Sequence, residues 1–424
     1  MIYPIEHALS TDAPSLHLPY PFGSWGTKNG RIEQKSWKKR WGYNTADRTL
    51  TGHTPYAVIL YQLRGGTRNT MYLTGTDLCL KKTGTGPPAE TFAYKTETYI
   101  DGTISSITGT AVVGSSTVWG NGTTNIVAGD YFIMDNDHSE NIEPDSNWTQ
   151  IASVTDDTHL TLSSSYTKNG TAYKIRKVYT VPSNERWFWC VVDDLLIFGN
   201  GNTNVQSWNG GTGYATNLET GLTTAVKARN GIEYADRLII ADYGSTRNPL
   251  AIAGSKNLDP TNWTDSTYFA TELLGTEDFI MGLGKVGAYI IVYREDSIII
   301  GNRTGISTSP VSFPREKKGI GCMARNSIVE AAGTNFFLGK NDFYVMQSDY
   351  AEPIGERIRD KFFDIVGRTE TKKTWGQHYS LRNEIEWIAN TSEGKMGFVY
   401  NYKTGEWSVN QYLNDMIAAG TGAI

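Results

Sequence analysis

The side chains in this sequence that could do acid–base chemistry are carboxylates scattered beside short apolar runs. The candidates are Asp193, Asp194, Asp236, Asp242 and Glu295. A glycoside hydrolase needs two carboxylates roughly 5–9 Å apart, and nothing in the spacing sets any two of these at that separation. The Ser-x-Asp-x-Gly-x-Thr-Trp box typical of sialidase propellers is also missing. A glycosidase is therefore the least favoured hypothesis, and we predict that the protein is not an enzyme.

A glycine motif, Gly319-Ile-Gly321-Cys-Met-Ala324, matches the letters of a dinucleotide-binding fingerprint. That fingerprint needs a strand before it and a helix after it, so that backbone amides can hold a pyrophosphate. Here a charged turn at 315–318 comes first and a β-like run at 327–331 follows. We therefore expect a loop that enters a strand, and we expect no cofactor.

Metal ligands are scattered as well. The 6 histidines and 3 cysteines lie far apart, which argues against a zinc site and against a disulfide framework. Asp135-Asn-Asp137 begins like a calcium loop, but Glu140 and Ser146 stand where such a loop needs glycine and a bidentate glutamate. The sequence predicts no metal site.

Four tryptophans could bind sugars by stacking, if they lie on exposed loops. They are Trp119, Trp148, Trp208 and Trp263. Packing in a β-sheet core is the favoured alternative for each, and the run Asp259-Pro-Thr-Asn-Trp263 is typical of an Asp/Asn turn that places a tryptophan on the next strand. The alternative function is accordingly a propeller that binds a host receptor or carbohydrate, such as a tail spike or adhesin. Trp119 and Trp148 are candidate partner contacts.

The elements that position these residues are predicted to be β-strands. The 424 residues include 44 Gly, 24 Tyr and 12 Trp, and only 20% are charged. Short strands joined by glycine and asparagine turns have this composition. The net charge of −5 does not favour a protein that binds nucleic acid through a basic surface.

One basic cluster interrupts this acidic balance. It consists of Lys35, Trp37, Lys38, Lys39, Arg40 and Trp41. The cluster is either a contact for nucleic acid or an acidic partner, or a solvated strand end with two packed tryptophans. The opening residues 1–7 lack the pattern of a secretory signal, and no apolar run reaches the length of a spanning helix. We therefore expect a soluble protein made in a cytoplasm.

A unit of two β-rich runs joined by a turn recurs six times. The copies are at 56–73, 195–208, 238–254, 288–301, 335–346 and 385–409. They follow one another at roughly 40–50 residues, except across one long gap, and this period is typical of propeller blades. The predicted fold class is all-β, a β-propeller of about six to seven blades, with a β-sandwich as the alternative.

The long gap contains five further β-like runs. They are at 112–119, 130–134, 150–154, 159–162 and 172–175. Five short strands in so few residues predict a small inserted barrel or sandwich module. The domains are thus predicted as an N-terminal arm with the first blade or blades at 1–97, the module at 98–178, and the remaining blades at 179–424.

One amphipathic helix is predicted at 353–366. Its apolar face is formed by Ile354, Ile358, Phe362 and Ile365. We expect it to pack between two blades, with a partner-binding helix as the alternative. Arg357, Arg359 and Lys361 of this segment are candidate partner contacts.

Several segments, taken together, resemble the tail nozzle or tail-hub proteins of short-tailed bacteriophages, including those known as packaged-DNA stabilisation proteins. They are Phe313-Pro-Arg-Glu-Lys-Lys-Gly-Ile-Gly-Cys-Met-Ala-Arg-Asn-Ser-Ile-Val, Asn335-Phe-Phe-Leu-Gly-Lys-Asn-Asp-Phe-Tyr-Val-Met, Ile354-Gly-Glu-Arg-Ile-Arg-Asp-Lys-Phe-Phe, Asn401-Tyr-Lys-Thr-Gly-Glu-Trp-Ser, and, upstream, 236–240 with 257–264. Segments 128–133 and 151–166 are similar to a small β-module common in phage virion proteins.

The resemblance implies a structural protein of the virion tail, assembled in the bacterial host cytoplasm. Its members form a homo-hexameric tube that continues the portal and adaptor channel, retains the packaged DNA and guides its ejection. The implied partners are other copies of the chain, the head-to-tail adaptor protein, a tail fibre or spike docked outside, and double-stranded DNA that passes without sequence recognition. A mildly acidic wall suits such a conduit, because each phosphate contact made would have to be broken during ejection.

Overall fold

The computed structural model describes residues 30–33, 36–39, 55–83, 90–120, 126–137, 147–182, 185–218, 226–273 and 278–412. The first two ranges form an antiparallel hairpin of β1 (Gly30–Glu33) and β2 (Ser36–Lys39). The following residues form six sheets of four antiparallel strands each, and one separate sheet of seven strands.

Blade 1 shows the pattern of every four-stranded sheet, in which consecutive strands are neighbours. Its strands are β3 (Pro55–Gln62), β4 (Arg68–Thr74), β5 (Leu78–Thr83) and β6 (Glu90–Tyr94). The turn between β3 and β4 contains Gly66 at φ 88°, a conformation that glycine adopts without steric cost. The sequence-adjacent pairing is that of a meander, which needs only short connections.

A seven-stranded module follows blade 1. Its strands are β7 (Thr98–Tyr99), β8 (Thr103–Thr108), β9 (Ala111–Ser115), β10 (Tyr131–Met134), β11 (Thr149–Val154), β12 (His159–Leu162) and β13 (Tyr173–Arg176). The spatial order is β7-β13-β10-β11-β12-β9-β8. The two end strands, β7 and β8, are joined by a short connection. In addition, Ile104 N–H in β8 donates to Thr171 O, just before β13, at 2.8 Å. The sheet therefore curls into a barrel around its own apolar core.

Blades 2 to 4 come next. Blade 2 has β14 (Phe188–Val192), β15 (Leu195–Gly199), β16 (Gln206–Trp208) and β17 (Thr216–Asn217). Blade 3 has β18 (Lys227–Tyr234), β19 (Arg237–Gly244), β20 (Asn248–Gly254) and β21 (Phe269–Glu272). Blade 4 has β22 (Ile280–Val286), β23 (Tyr289–Arg294), β24 (Ser297–Arg303) and β25 (Val311–Lys318).

Blades 5 and 6 complete the ring. Blade 5 has β26 (Val329–Ala331), β27 (Thr334–Leu338), β28 (Phe343–Gln347) and β29 (Tyr350–Pro353). Blade 6 has β30 (Trp375–Tyr379), β31 (Glu384–Thr391), β32 (Gly394–Asn401) and β33 (Glu406–Tyr412). Short helical turns are at Asp135–Asp137, Arg325–Ser327 and Ser380–Arg382, and the α-helices are α1 (Arg359–Ile365) and α2 (Arg368–Thr371).

The apolar cores lie between successive blades. Five clusters of buried side chains fill the spaces from blades 1 and 2 through to blades 5 and 6. The middle strands are buried on both faces, which is why they read as continuous apolar runs such as 289–293. Outer strands such as β25 expose most of their residues. The predicted all-β propeller is therefore confirmed, with six blades.

The first five repeats predicted from sequence fold as hairpins of successive blades, and the sixth, 385–409, supplies three strands of blade 6. The run at 288–301, for example, supplies β23 and β24, paired as Ile290↔Gly301 and Val292↔Ile299. The five β-like runs of the gap supply β9 to β13 of the module. Sequence reasoning missed β7 and β8, because the first has two residues and the second, Thr103–Thr108, has an exposed polar face.

The predicted helix at 353–366 is correct only in its second half. Pro353 still belongs to β29, and α1 begins at Arg359. Gly355 lies between them, where a Cβ would clash with the Asp342 carboxylate, and its carbonyl accepts from Ile358 and Arg359 N–H at 2.8 Å each. A sheet edge and a tight turn thus replace the first two helical turns. The shortened helix packs between blades 5 and 6 as expected, with Phe362 against aromatic rings of both.

Candidate functional site

A cavity of about 270 Å³ lies on the propeller axis. Its walls come from all six blades, near the ends at which the innermost strands begin. The lining is Tyr56 and Ala57 of blade 1, residues 186–189 of blade 2, 229–231 of blade 3, Gly282 and Leu283 of blade 4, Arg325, Asn326 and Ile328 before and at the start of blade 5, and Trp375 and Gly376 of blade 6. One surface at the centre of the molecule is therefore built from six distant stretches of chain.

Glycines allow the innermost strands to approach the axis this closely. At Gly231 a Cβ would clash with the ring of Phe188 from the neighbouring blade. At Gly376 it would meet the Val329 side chain, and it would lie 2.9 Å from the Ser327 backbone oxygen. Residues without a side chain at these positions let the blades meet around a small cavity.

The charged side chains among the described lining residues are three arginines: Arg186, Arg229 and Arg325. Arg186 lies just before β14, and its guanidinium carbon lies 4.6 Å from the ring centroid of Trp375, which belongs to blade 6. Burial lowers the pKa of Arg186 to about 10. The guanidinium remains charged at neutral pH, so it carries its charge at the axis with an aromatic ring beneath it.

Asp242 is the carboxylate beside these arginines. It is 1% exposed and stands where the register of β19 shifts against β20, with φ 51°, which is a bulge that turns one side chain out of the regular alternation. Its Oδ2 lies 3.4 Å from Arg229 Nη1, 3.8 Å from Arg325 Nη2 and 2.9 Å from Arg247 Nη1. One buried carboxylate is therefore shared among three arginines.

A second carboxylate, Glu185, pairs with Arg229. Arg325 is left with the distant contact to Asp242, and its pKa is lowered to about 10 by burial first and then by the positive charge of Arg229, against the opposing pull of Glu185 and Asp242. Arg229, Arg247 and Arg325 thus share two carboxylates, and the surroundings of Arg325 undercompensate its charge.

Several buried polar atoms of this cluster have no hydrogen-bond partner among the described residues. The donors are Arg229 Nε, Asn230 Nδ2 and Arg325 Nη1, and the acceptor is Glu185 Oε2. Buried polar groups are normally paired with protein or with ordered water. The cavity beside them is polar and large enough to hold ordered water.

The chemistry open to this arrangement is binding. Guanidinium groups stay protonated and therefore do not transfer protons at ordinary pH. They do donate charge-assisted, frequently bidentate hydrogen bonds to carboxylates and phosphates. The Arg186 and Arg325 side chains, which come from opposite parts of the ring, are placed for such a role.

The carboxylates named from sequence are dispersed over three blades. Asp193 and Asp194 form the tight turn between β14 and β15 at positive φ, and Asp193 pairs with Arg64 at 2.7 Å. Asp236 forms the corresponding turn in blade 3, and Glu295 follows β23 in blade 4. Asp242 alone of the five reaches the axial cluster, where arginines surround it.

Sequence reasoning missed the three arginines of the cavity. No motif joins them, because they come from three blades and are far apart in sequence, although Arg325 does lie in the nozzle-like segment at 313–329. The available signal was the blade repeat itself. Aligning the repeats with one another would have placed each arginine near the start of the innermost strand of its blade. The charged turn predicted at 315–318 is instead the end of strand β25, so that prediction was wrong. The loop predicted at 319–324 does lead through a short helical turn into β26, and Arg325 belongs to that turn.

The prediction of Trp119 as a partner contact was wrong, whereas for Trp208 and Trp263 the packing alternative is confirmed. Trp119 is 1% exposed in the module core, and its Nε1 donates to Tyr173 Oη at 2.9 Å, so it is not a surface contact. Trp208 and Trp263 are also buried. The turn before Trp263 is the expected Asx turn, in which Asp259 Oδ1 accepts from Thr261 N–H at 3.2 Å, but Trp263 itself lies in the loop before β21. These three indoles serve packing: Trp208 lies in β16, whereas Trp119 and Trp263 lie in loops, and all three rings belong to buried apolar clusters.

Trp148 is half-buried and lies between the module and blade 1. The guanidinium of Arg176 is 5.0 Å from its ring centroid, and Tyr94 meets it edge-on at 6.1 Å. Its ring is thus engaged within the chain, and its role as a partner contact stays a prediction.

The three basic residues near α1 form ion pairs within the chain. Arg357 pairs with Glu406 at 3.5 Å, Arg359 with the buried Asp342 at 3.0 Å, and Lys361 with Glu393 at 3.4 Å. Arg359 is the most exposed of the three, at 42%. These pairs hold the helix segment to blades 5 and 6, and a contact with a partner stays a prediction for all three residues.

Within the described ranges, no group of three or more His, Cys, Asp or Glu side chains could hold a metal ion. The second half of the calcium-like loop, 138–146, lies outside those ranges, as do Lys35, Arg40 and Trp41 of the basic cluster. Among the described residues no helix is both long and apolar enough to cross a membrane.

No family model matches the chain, and no curated protein matches it. Among solved structures, BamB from Moraxella catarrhalis aligns at TM-score 0.30 and 10% identity over 54% of this chain and 62% of BamB, so the chain spans less than two thirds of that protein. Kluyveromyces lactis Hsv2 aligns at TM-score 0.34 and 9% identity over 86% of this chain and 100% of Hsv2.

PorZ, an essential bacterial surface component of the type-IX secretion system of Porphyromonas gingivalis, aligns at TM-score 0.34 and 11% identity over 74% of this chain and 39% of PorZ. At these low scores the alignments add nothing to the strand order, and the six meander sheets themselves define the propeller.

Proposed function

We propose that this chain is a structural virion protein of a short-tailed bacteriophage, and that it forms the tail nozzle ring below the portal and adaptor. In this role it retains the packaged DNA and guides its ejection, while a tail fibre or spike docks outside. The observation that carries the proposal is the placement of the nozzle-like segments. Those at 313–329, 335–346, 354–363 and 401–408 fold next to one another in blades 4 to 6 and in the joints between them.

The rigid joint between the propeller and the module supports a structural role. Arg176 at the end of β13 pairs with Asp77 of blade 1, and their side chains are 4% and 2% exposed. Val178 N–H and Lys177 Nζ both bond to Asp130 of the module, at 3.0 and 3.2 Å. A buried pair with directional hydrogen bonds fixes the orientation of two bodies, which suits a protein that must keep its shape under pressure from packaged DNA.

The axial cavity determines where DNA could pass in this proposal. Its volume is about 270 Å³. A B-DNA duplex, whose major groove alone is about 12 Å wide, does not fit through a cavity of that size. The conduit therefore runs between copies of the chain, around the symmetry axis of the ring, and each propeller is a solid block in its wall. The net charge of −5 suits that wall, because a basic wall would bind the phosphates and resist their release.

The test is assembly. The purified full chain is examined by analytical ultracentrifugation over a wide concentration range, and both the protein and purified particles are imaged by cryo-electron microscopy. We expect six-fold rings in solution or at the tail tip of particles. A chain that stays monomeric at all concentrations and is absent from particles would contradict the proposal.

A further inference from the structure

The axial cavity has an excess of positive charge and contains buried hydrogen-bond donors that have no partner among the described residues. Contacts between copies of the chain in a nozzle ring would account for neither feature. Among the described residues, Arg229, Arg247 and Arg325 share only two carboxylates, Asp242 and Glu185, and two of these arginines, Arg229 and Arg325, line the cavity. Burying a cation without full compensation costs free energy. A cluster of this kind is therefore expected to take up a counter-charge.

The donors that have no partner show where that counter-charge belongs. Arg325 Nη1 and Asn230 Nδ2 are buried, belong to cavity-lining residues and have no hydrogen-bond partner among the described residues. Arg229 Nε is a third such donor. Glu185 Oε2, the unpartnered acceptor, is on the side chain that already holds Arg229. An anion is thus favoured on the Arg325 and Asn230 side of the cluster.

The shape of the cavity limits what can bind. Its volume of about 270 Å³ accommodates a tetrahedral oxyanion with several waters, or a small polycarboxylate, but not a polymer. Arg186, fixed over Trp375, closes the opposite side with a further guanidinium. Planar guanidinium groups match the oxygens of phosphate and carboxylate in a bidentate manner.

We propose that the axial cavity is a binding site for a small oxyanion of the phosphate or carboxylate class, held by Arg325, Asn230 and Arg186. The bound anion neutralises the cluster where blades 2, 3, 5 and 6 meet, and it thereby stabilises the closed ring of blades. This site is independent of the nozzle proposal, since it needs only the single chain.

The first experiment measures binding to the full chain, purified in a chloride buffer. Inorganic phosphate, sulfate and citrate are titrated separately by isothermal calorimetry, and the melting temperature is followed at matched ionic strength. We expect saturable one-site binding of at least one of these anions and a rise in melting temperature with its concentration. No saturable binding of any of the three would overturn the proposal. Preference for phosphate and sulfate, or instead for citrate, identifies the class.

The second experiment places the site. Arg325→Gln removes the undercompensated guanidinium, and the affinity is expected to fall by about tenfold or more. Asn230→Asp replaces an unpartnered donor with a fixed negative charge of the same shape. This variant should be more stable than the wild type in chloride, because it supplies the missing counter-charge, and it should lose the stabilisation by anion.

A matched control is Asn209→Asp in an exposed turn of blade 2. The Asn209 Oδ1 accepts from Gly211 N–H at 3.0 Å, and a carboxylate oxygen keeps that bond. This control should bind the anion with wild-type affinity. If Asn230→Asp and Asn209→Asp respond to the anion equally, or if Arg325→Gln binds as the wild type does, the anion is bound elsewhere and the assignment fails.

Discussion

Two buried arginines, in two regions of the molecule, have opposite electrostatic surroundings. At the module junction, defined by Asp77 and Arg176, burial is the largest single effect and would lower the pKa of Arg176, but the negative charge and hydrogen bond of Asp77, together with Tyr94 and Cys79, outweigh it and the pKa is raised. At the axial cavity, burial and the neighbouring Arg229 together lower the pKa of Arg325. The first arginine is matched by a carboxylate of its own, whereas the second shares one with two other arginines.

The neighbouring groups also compensate and cover Arg176 more fully than Arg325. The Asp77 carboxylate also accepts from the Thr76 and Thr96 hydroxyls, at 2.6 and 3.2 Å, and the Arg176 guanidinium lies over the Tyr94 ring at 3.7 Å from its centroid. A compensated, covered arginine fixes two bodies together, and an undercompensated arginine beside a cavity is suited to bind.

The largest effect is expected from breaking the module junction. Arg176→Met leaves the Asp77 carboxylate buried without its cation, and the free energy of unfolding should fall by about 3–5 kcal/mol. Urea denaturation measures this change. The matched control is Arg64→Met, because the Arg64–Asp193 pair is exposed at 68% and 40%, and its loss should cost less than about 1 kcal/mol. Equal losses in the two variants would remove the distinction between a buried and a surface pair.

A smaller effect is expected at the axial cluster from Asp242→Asn. The variant removes the carboxylate shared by Arg229, Arg247 and Arg325, and in chloride we expect a loss of about 2 kcal/mol, since these arginines retain some solvent. Added phosphate should restore part of that loss, whereas it should not restore Arg176→Met. Rescue of both variants, or of neither, by phosphate would contradict the contrast between the two sites.

Replacing the whole junction pair should cost less than breaking it. In Asp77→Leu with Arg176→Met, no charge is left buried, so most of the stability should return. A net loss of about 1 kcal/mol should remain, because the Thr76 and Thr96 hydroxyls lose their acceptor. A double-mutant cycle in urea gives the coupling energy. A double variant as unstable as Arg176→Met would show that the pair is not what destabilises the single variant.

The smallest effect concerns Glu97, which lies where the module joins blades 1 and 2. Burial raises its pKa above 4.5, although Lys177 opposes this and the Asn217 amide donates to Oε1 at 3.1 Å. The charged form therefore costs folding free energy above the folded-state pKa, and that cost vanishes as the pH falls toward the unfolded value. Glu97→Gln should be more stable than the wild type at pH 8 by less than about 1 kcal/mol.

The check is urea denaturation of both proteins at several pH values. The advantage of Glu97→Gln should shrink as the pH drops through the raised pKa of Glu97. A constant difference across that range, or a variant that is less stable at pH 8, would be inconsistent with the burial effect. Neither Arg176 nor Arg325 titrates in this interval, so the contrast between the two arginine sites should not change with pH.

Much of the fold was predictable from particular runs of sequence. The run at 288–301 is apolar on both faces and broken by a charged turn, which defines a buried hairpin before any tertiary contact is known. The helix was predicted too long. The helical spacing of Ile354 and Ile358 indicated a start at residue 353, but in the structure Pro353 is the last residue of β29 and Gly355 forms a tight turn. Local pattern cannot show that a strand from the preceding hairpin competes for the same residues.

The candidate site was less predictable. Asp242 was named as a carboxylate of interest, yet its neighbours depend on a bulge in β19 and on arginines from blades 3 and 5. Trp119 was named as a surface contact and instead fills the module core. In both cases the residue type was informative, but the neighbours of the side chain were set by tertiary contacts: the bulge in β19 for Asp242 and the packed module core for Trp119.

By itself, the sequence determined the strands, the six-fold repetition and the interruption by a separate β-module, because alternation, turn residues and period are local properties of the chain. Only the tertiary structure decided that Arg186, Arg229 and Arg325 converge on one axis, and that Arg176 is neutralised while Arg325 is not. The physical reason is that charge compensation is a sum over side chains from several blades, and closing the ring is what brings those side chains within range of one another.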